Sequence, residues 1–485
     1  MGVRNIVSAF WSPIATTLIG WLGGYNATDP RRKILDSAQL MASRTTANQL
    51  LNSNLATLRS YCRNLERNNP TARAGIEALV ALVVGSGISL EPDTGDEAAD
   101  SMIREMFNVW CEKASVHGES IWSLQALGMR EMPTAGEGLW RIVYDADAER
   151  MGFLPLRILA LDAEWIRDDA GSVSSLTTVA GMRIDGMGRA THYLLRNPET
   201  EGDPEVVSAQ SIIHFFERRR PVQNRGEPWF APLIETLIQE RDLVDAELKA
   251  AVSTASLGIA IESEYQQELD TDEYGTSVDP VQQLKLGAAV RLFPGEKVHP
   301  FSHTRPSQQI APFRQMLRGD IAAALRIPQR FLDRDVSRAN YSSMRADMID
   351  TERILGPVRE WYGRQTIGRM YEILLPYMAA KLGIALPRAD YRLLPDGQAY
   401  VDPQKDIGAA LLAIDGGLST HEAEVGKRGG DYRQLWKQLR KEQEQRETEG
   451  PEITLGAKGS PPAPTPSEIE SKKDTPEKEE GSENV

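Results

Sequence analysis

The strongest constraint on this chain is that its two hydrophobic periods are kept apart. From Phe153 to Phe216 apolar and polar residues alternate, punctuated by Asp169-Ala170-Gly171, Asp185-Gly186 and Asn197-Pro198. That pattern reads as several short antiparallel strands joined by turns. On either side the apolar residues recur every three or four positions, the period of helices packed by one face. A β-rich block inside an otherwise helical chain predicts an α+β fold. With 485 residues, 41% of them hydrophobic and 26% charged, the chain is too long for one compact core, and two or more regions are expected.

The helical segments can be placed along the sequence. Asp36 to Asn64 is loosely helical and reads as a surface helix pair or an arm. Thr71 to Val84 forms a helix that Gly85-Ser86-Gly87 stops, and a short strand follows at Ile88 to Leu90. Asp96 to Gly128 is helical, after which Gly136-Glu137-Gly138 opens a strand over Leu139 to Tyr144. Pro232 can start a helix that carries Leu233, Leu237, Val244, Leu248 and Val252 to Ser256. Ile310, Phe313, Leu317, Ile321 and Leu325 define a second helix, which Pro328 ends. Between these two lies an acidic insertion with a strand-like stretch at Ala289 to Phe293. A polar loop from Arg330 to Asn340 leads to a long helix from Tyr341 to about Leu382, with a kink expected at Gly356-Pro357. Asp402 to Gln445 is a small helical unit, and the Pro-, Glu-, Lys- and Ser-rich tail beyond Arg446 is expected to be disordered.

Charge and motifs narrow the function. Acidic residues outnumber Lys plus Arg by 69 to 55, a net charge of -14, which does not suit a protein that wraps DNA. Cys62 and Cys111 lack CxxC spacing and read as free, partly buried thiols, in keeping with a reducing cytoplasm. The apolar stretch from Ile6 to Gly24 is interrupted by Pro13, Ser8, Ser12, Thr16 and Thr17, and reads as an arm rather than a membrane span. Ile6 stands where a myristoylation signal needs Ser or Thr. No G-x-x-x-x-G-K-[ST] loop occurs, so the chain does not carry that ATP-binding signature. His299 and His303 have metal-ligand spacing, but Pro300 between them opposes a helical site. His214 beside Ser342 or Ser343 would suit a hydrolase, yet no G-x-S-x-G elbow is present, and a hydrogen-bonded structural histidine is the expectation. Arg218-Arg219-Arg220 with Gln223 and Arg225 suits phosphate or a subunit contact, and Trp229 and Phe230 suggest base stacking or core packing.

Four stretches stand in order along the chain: Arg67-Asn68-Asn69-Pro70 with the Val83-to-Ile88 turn; Ile212 to Phe216 including His214, followed by Arg220-Pro221-Val222-Gln223-Asn224-Arg225-Gly226; Leu292-Phe293-Pro294-Gly295-Glu296; and Asn340-Tyr341-Ser342-Ser343-Met344-Arg345. Taken together they resemble the lambda-like phage portal family. Val222 stands where the family pattern has Gly. A weaker fifth match covers Asp402 to Asp406 and Gly417 to Thr420.

The resemblance implies a mostly helical portal fold. It would comprise an N-terminal apolar arm (1-24), a wing that is helical and then β-rich (25-231), a first stem helix (232-256), a small α/β clip (257-306) and a second stem helix (307-327). A tunnel loop (328-342), a long kinked helix with the wing return (343-400), a helical crown (401-445) and the tail (446-485) would complete it. A homo-oligomeric ring of about twelve copies at one capsid vertex is implied, since a heterologous interface that closes gives a ring. The implied partners are double-stranded DNA without sequence specificity, the terminase large subunit, head-tail connector proteins, and major capsid and scaffold proteins. The implied location is the virion, with assembly in the host cytoplasm. Arg330, Arg334, Asp335, Arg338 and Asn340 would approach DNA in the tunnel loop, and Glu235, Glu240, Asp242 and Asp245 would face the channel from the first stem helix. Mixed signs in such a loop favour sliding over gripping, because neutralising many phosphates would hold DNA in place. No catalytic residue, metal, cofactor or membrane partner is expected. The alternatives are a metal-dependent nuclease or hydrolase built on His214, and a head-completion or scaffolding protein.

Overall fold

A computed structural model describes residues 46–166, 178–200, 203–256, 259–263, 296–300, 309–335, 337, 340–397 and 402–449. The apolar arm, Pro294, Gly295, His303, Arg338 and the tail beyond 449 lie outside them.

Helix α1 (Ala47–Asn68) starts at Thr46, which forms a capping box with Gln49. Leu51, Leu55, Leu58, Cys62 and Leu65 fall on one buried stripe. The segment expected as a helix pair or arm is therefore, from Ala47 on, one helix packed into the core. Helix α2 (Pro70–Val83) follows directly and buries Ala72, Ile76, Leu79 and Val83. A Cβ on its Gly75 would lie 2.6 Å from Leu325 Cδ1, so glycine permits the close approach of a later helix.

Strand β1 (Ser89–Pro92) precedes α3 (Glu97–Cys111) and α4 (Ile121–Thr134), two separately capped helices where the sequence suggested one helical stretch. Asp96 and Ser120 are their N-caps. Strand β2 (Glu137–Tyr144), the short α5 (Ala146–Arg150) and β3 (Leu156–Leu161) begin the β-rich block. It continues with β4 (Thr178–Val179), β5 (Met182–Ile184), β6 (Ala190–Leu195), β7 (Glu205–Ser208) and β8 (Ile212–Phe216). Two antiparallel sheets result, ordered β3-β2-β8 and β4-β5-β6-β7.

Helix α6 (Ile234–Ser256) leads to β9 (Ile259–Ser263), which pairs with β10 (Glu296–Pro300), and α7 (Ile310–Ala324) follows. The helix, insertion, helix pattern expected of the stem and clip is present in these elements. After α7 comes α8 (Arg330–Asp333), a helical turn with Leu332 buried. The expected loop from Arg330 to Asn340 therefore starts four residues late: its first part is docked helix. Helix α9 (Tyr341–Gly363) is continuous through Gly356-Pro357, and a π-helical stretch over 364–368 joins it to α10 (Arg369–Leu382). Strand β11 (Tyr391–Leu394) returns to pair antiparallel with β1. Three helices end the described chain: α11 (Pro403–Asp415), α12 (His421–Gly426) and α13 (Tyr432–Glu449).

Two compact units divide near residue 409. In the first, one large core joins α1 to α4, the β3-β2-β8 sheet, the bases of α6 and α7, and α9 with α10. A smaller core lies under the four-stranded sheet, around Met182, Tyr193, Leu195 and Val207. The second unit contains no buried apolar residue in α11, α12 or α13. No helix among the described residues is long and apolar enough to cross a membrane.

Candidate functional site

The residues singled out in the sequence converge on one buried group that the sequence did not single out, the Glu137 carboxylate. It opens β2 and is fully buried. Arg59 Nη2 donates to Oε1 at 2.7 Å, and Arg225 Nε to the same oxygen at 2.8 Å. The backbone N–H of Gly226 donates to Oε2 at 2.6 Å, and His214 Nε2 lies 3.2 Å from Oε2, off line for a hydrogen bond. Arg59 also donates to the Ala135 and Ala163 carbonyls, and Arg225 to those of Ile166, Ala180 and Ala163. Burial alone would raise the Glu137 pKa, but the guanidiniums of Arg225 and Arg59, with His214, outweigh it and hold the carboxyl well below its ordinary range.

This cluster explains the second family motif residue by residue. Gln223 Oε1 accepts from the backbone N–H groups of Arg219 and Arg220, and its Nε2 donates to the Arg225 carbonyl. The turn is thereby stapled so that Arg225 enters the core. Gly226 packs backbone to backbone against Gly136, where a Cβ would meet Gly136 O at 2.1 Å. Val222 sits at φ 59°, the left-handed region that glycine would occupy without strain. Pro221 and the side chains of Arg218, Arg219 and Arg220 are on the surface. Arg218 donates to the Gln223 carbonyl and stacks 5.5 Å over Phe216. Trp229 and Phe230 are buried, which removes the base-stacking reading.

Of the other motifs, the third lies outside the described residues apart from Glu296, and the first and fourth are helix caps. Asn69 accepts from the N–H groups of Thr71 and Ala72, Pro70 takes the first helical position, and Asn69 Nδ2 donates to the Leu237 carbonyl at 2.9 Å. Asn68 ends α1. Asn340 caps α9 in a reciprocal box with Ser343. Arg345 donates to the Tyr341 hydroxyl at 2.9 Å and lies 3.5 Å from Asp406, while Lys405 sits over the Tyr341 ring. Ser342 is exposed.

On the candidate channel elements one expectation is overturned. Glu240 is not on a solvated face: it is buried, accepts from Arg314 Nε at 2.6 Å, and also binds Arg318 and the Thr71 hydroxyl. It ties α6 to α7 and α2, because three donors from those helices surround it. Asp242 and Asp245 are exposed, Asp245 lying 4.0 Å from Arg241, and Glu235 is half-buried. Arg330 is largely buried, with Nη1 3.4 Å from Asp347. Arg334 is exposed in a left-handed helix cap, and Asp335 is exposed and accepts from the N–H of Ser337. His299 lies on strand β10, not a helix. Among the described residues no three His, Cys, Asp or Glu are grouped to hold a metal ion. His214 is enclosed by Glu137 and by the Tyr193 hydroxyl 3.3 Å from Nδ1.

The chain is 23% identical over 445 residues to portal protein B of Escherichia phage lambda, covering 80% of this chain and 83% of that protein. It is 25% identical over 314 residues to the portal protein of Escherichia phage N15, covering 56% of this chain and 59% of that one. The chain thus spans little more than half the length of the N15 relative. Among solved structures, a chain from the neck of a native gene transfer agent particle, computed with C12 symmetry, aligns at 13% identity with TM-score 0.47, covering 78% of this chain and 93% of the other. The sequence pattern described as "Phage portal protein, lambda family" matches residues 35–359. That span is two thirds of the chain and runs from before α1 into α9, across the Glu137 cluster and every cap described above; the chain belongs to the lambda family of phage portal proteins.

Proposed function

We propose that this chain forms a homo-oligomeric ring at one capsid vertex and conducts double-stranded DNA during packaging and ejection. In this reading the ring docks the terminase motor on one side and head-tail connector proteins on the other, within a virion. As a portal protein the chain is structural and not an enzyme. The observation that carries the proposal is the family match over 35–359, which includes α6, α7 and the β9-β10 pair between them.

The charge pattern supports guidance rather than grip. Arg330 is turned inward to Asp347, and Arg334 is followed by Asp335. Among the described residues of this segment few unpaired cations remain to release counterions from DNA, so contacts per subunit are weak and a duplex slides. With Glu240 used internally, Glu235, Asp242 and Asp245 are the acids left to repel phosphate if α6 lines the channel.

Electron microscopy of the purified chain tests this directly. The expected particle is a closed ring with an axial hole that admits B-form DNA. A chain that stays monomeric at high concentration and in assembled particles would sink the proposal.

A further inference from the structure

Outside the motif cluster, the first unit carries a groove of about 850 Å³ between α3, α5 and the end of α10. Its walls hold Met102, Val109, Met151 and Phe153, which are 42%, 53%, 74% and 48% exposed. Exposed apolar residues scattered singly are ordinary, but several gathered in one concavity mark a docking site. Methionine walls adapt to irregular partners and make favourable contacts with aromatic rings.

We propose that the groove receives residues 6–24 of this chain. That stretch offers Phe10, Trp11, Ile14, Leu18, Trp21 and Leu22, an apolar and aromatic set with no place in the described core. Charge agrees: residues 6–24 carry no charged side chain. On the groove rim Asp145 is matched by Arg157 and Asp147 by Arg150, and Glu105 and Glu112 are offset in number by Lys113 and Lys381, so the rim is near charge balance and suits an uncharged segment.

The reach is sufficient. From Ala47 to Arg59 is about 18 Å of helix, and from Glu137, which Arg59 touches, to Tyr144, the residue before Asp145 of the groove, is about 24 Å of strand. The start of α1 therefore lies within roughly 50 Å of the groove. Residues 25–45 span up to about 70 Å when extended.

The test places the photoreactive residue benzoylphenylalanine at Trp11 or Leu18 in the full chain and maps the adducts by mass spectrometry. Adducts on residues 102–113 or 145–154 are expected, within a chain or between copies, since the occupant is the same segment in either case. Val109→Glu with Phe153→Glu, both exposed positions that leave the core intact, should lower the adduct at least fivefold. Deleting residues 1–24 should lower hydrogen-exchange protection over 102–113. Adducts concentrated elsewhere in this chain or on another protein, an adduct unchanged by the double substitution, or unchanged protection after the deletion would each overturn the proposal. Ring formation is a separate readout, so failure here leaves the portal reading standing.

Discussion

At the scale of single residues, the Glu137 carboxylate balances two buried guanidiniums, and its loss has a calculable direction. Glu137→Gln removes the buried counter-charge shared by Arg59 and Arg225, and breaking a buried pair costs about 3–5 kcal/mol. A lowered thermal midpoint in calorimetry is the check. Because Glu137 is held below its ordinary value of 4.5, its contribution is complete above that pH and is lost as pH falls through the lower folded value. Glu131 has the opposite sign. Burial pushes its carboxyl up to about 7 against the pull of Arg63, and its Oε2 is buried without a hydrogen bond. The folded chain keeps a proton there that the unfolded chain releases, so stability declines as pH rises from 4.5 to about 7. Glu131→Gln should therefore raise the urea midpoint at pH 8 and leave it nearly unchanged at pH 4.5. Val222 pays for a left-handed backbone with a β-branched side chain. Its side chain is exposed, and its carbonyl still accepts from Asn48. Val222→Gly should stabilise the chain by about 1 kcal/mol, relief of strain outweighing the added freedom of the unfolded state, read as a shifted urea midpoint at constant slope.

At the scale of elements, the family motifs among the described residues start helices and staple turns, and this decides what the sequence made legible. An Asn before Pro70, and an Asn three residues before Ser343, are local signals of helix starts, and α2 and α9 begin where they stand. The β-rich block was legible for the same reason, since alternation and turn residues are local. The Glu137 cluster was not, because its members at 59, 137, 214 and 225 come from one helix, two strands and a turn that only the fold brings together. Glu137 between two glycines at a strand start was the one available hint. Glu240 misled for a related reason: it shares the acidic run with Asp242 and Asp245, and its burial is set by Arg314, Arg318 and Thr71 from other helices. Asn69 joins both kinds of information, capping α2 while its amide holds the Leu237 carbonyl of α6. Asn69→Ala loses both the cap and the added buried bond to that carbonyl, so a loss of about 1–2 kcal/mol is expected, larger than for Asn340→Ala at an exposed cap. Paired denaturant titrations of the two variants measure the difference.

At the scale of the whole molecule, the segment between α7 and α9 has two parts with different duties. Its first part, α8, is built into the subunit: Leu332 is buried and Asp333 is ion-paired with Arg318 of α7. Its second part, from Arg334 to Ala339, precedes the Asn340 cap and carries the exposed Arg334 and Asp335. If this second part approaches DNA in the assembled ring, removing it should spare folding and assembly and affect only the passage of the duplex. Deleting residues 335–339 and bridging the gap with two glycines should therefore leave ring formation intact by electron microscopy, while packaging or retention of DNA falls severalfold. Deleting 330–333 should behave differently, opening the core under α2 and α7 and reducing soluble ring yield before any DNA step is reached. Rings of the 335–339 deletion that package and retain DNA normally would remove the tunnel role from this segment. A loss of rings from the same deletion would instead make it part of the subunit contact.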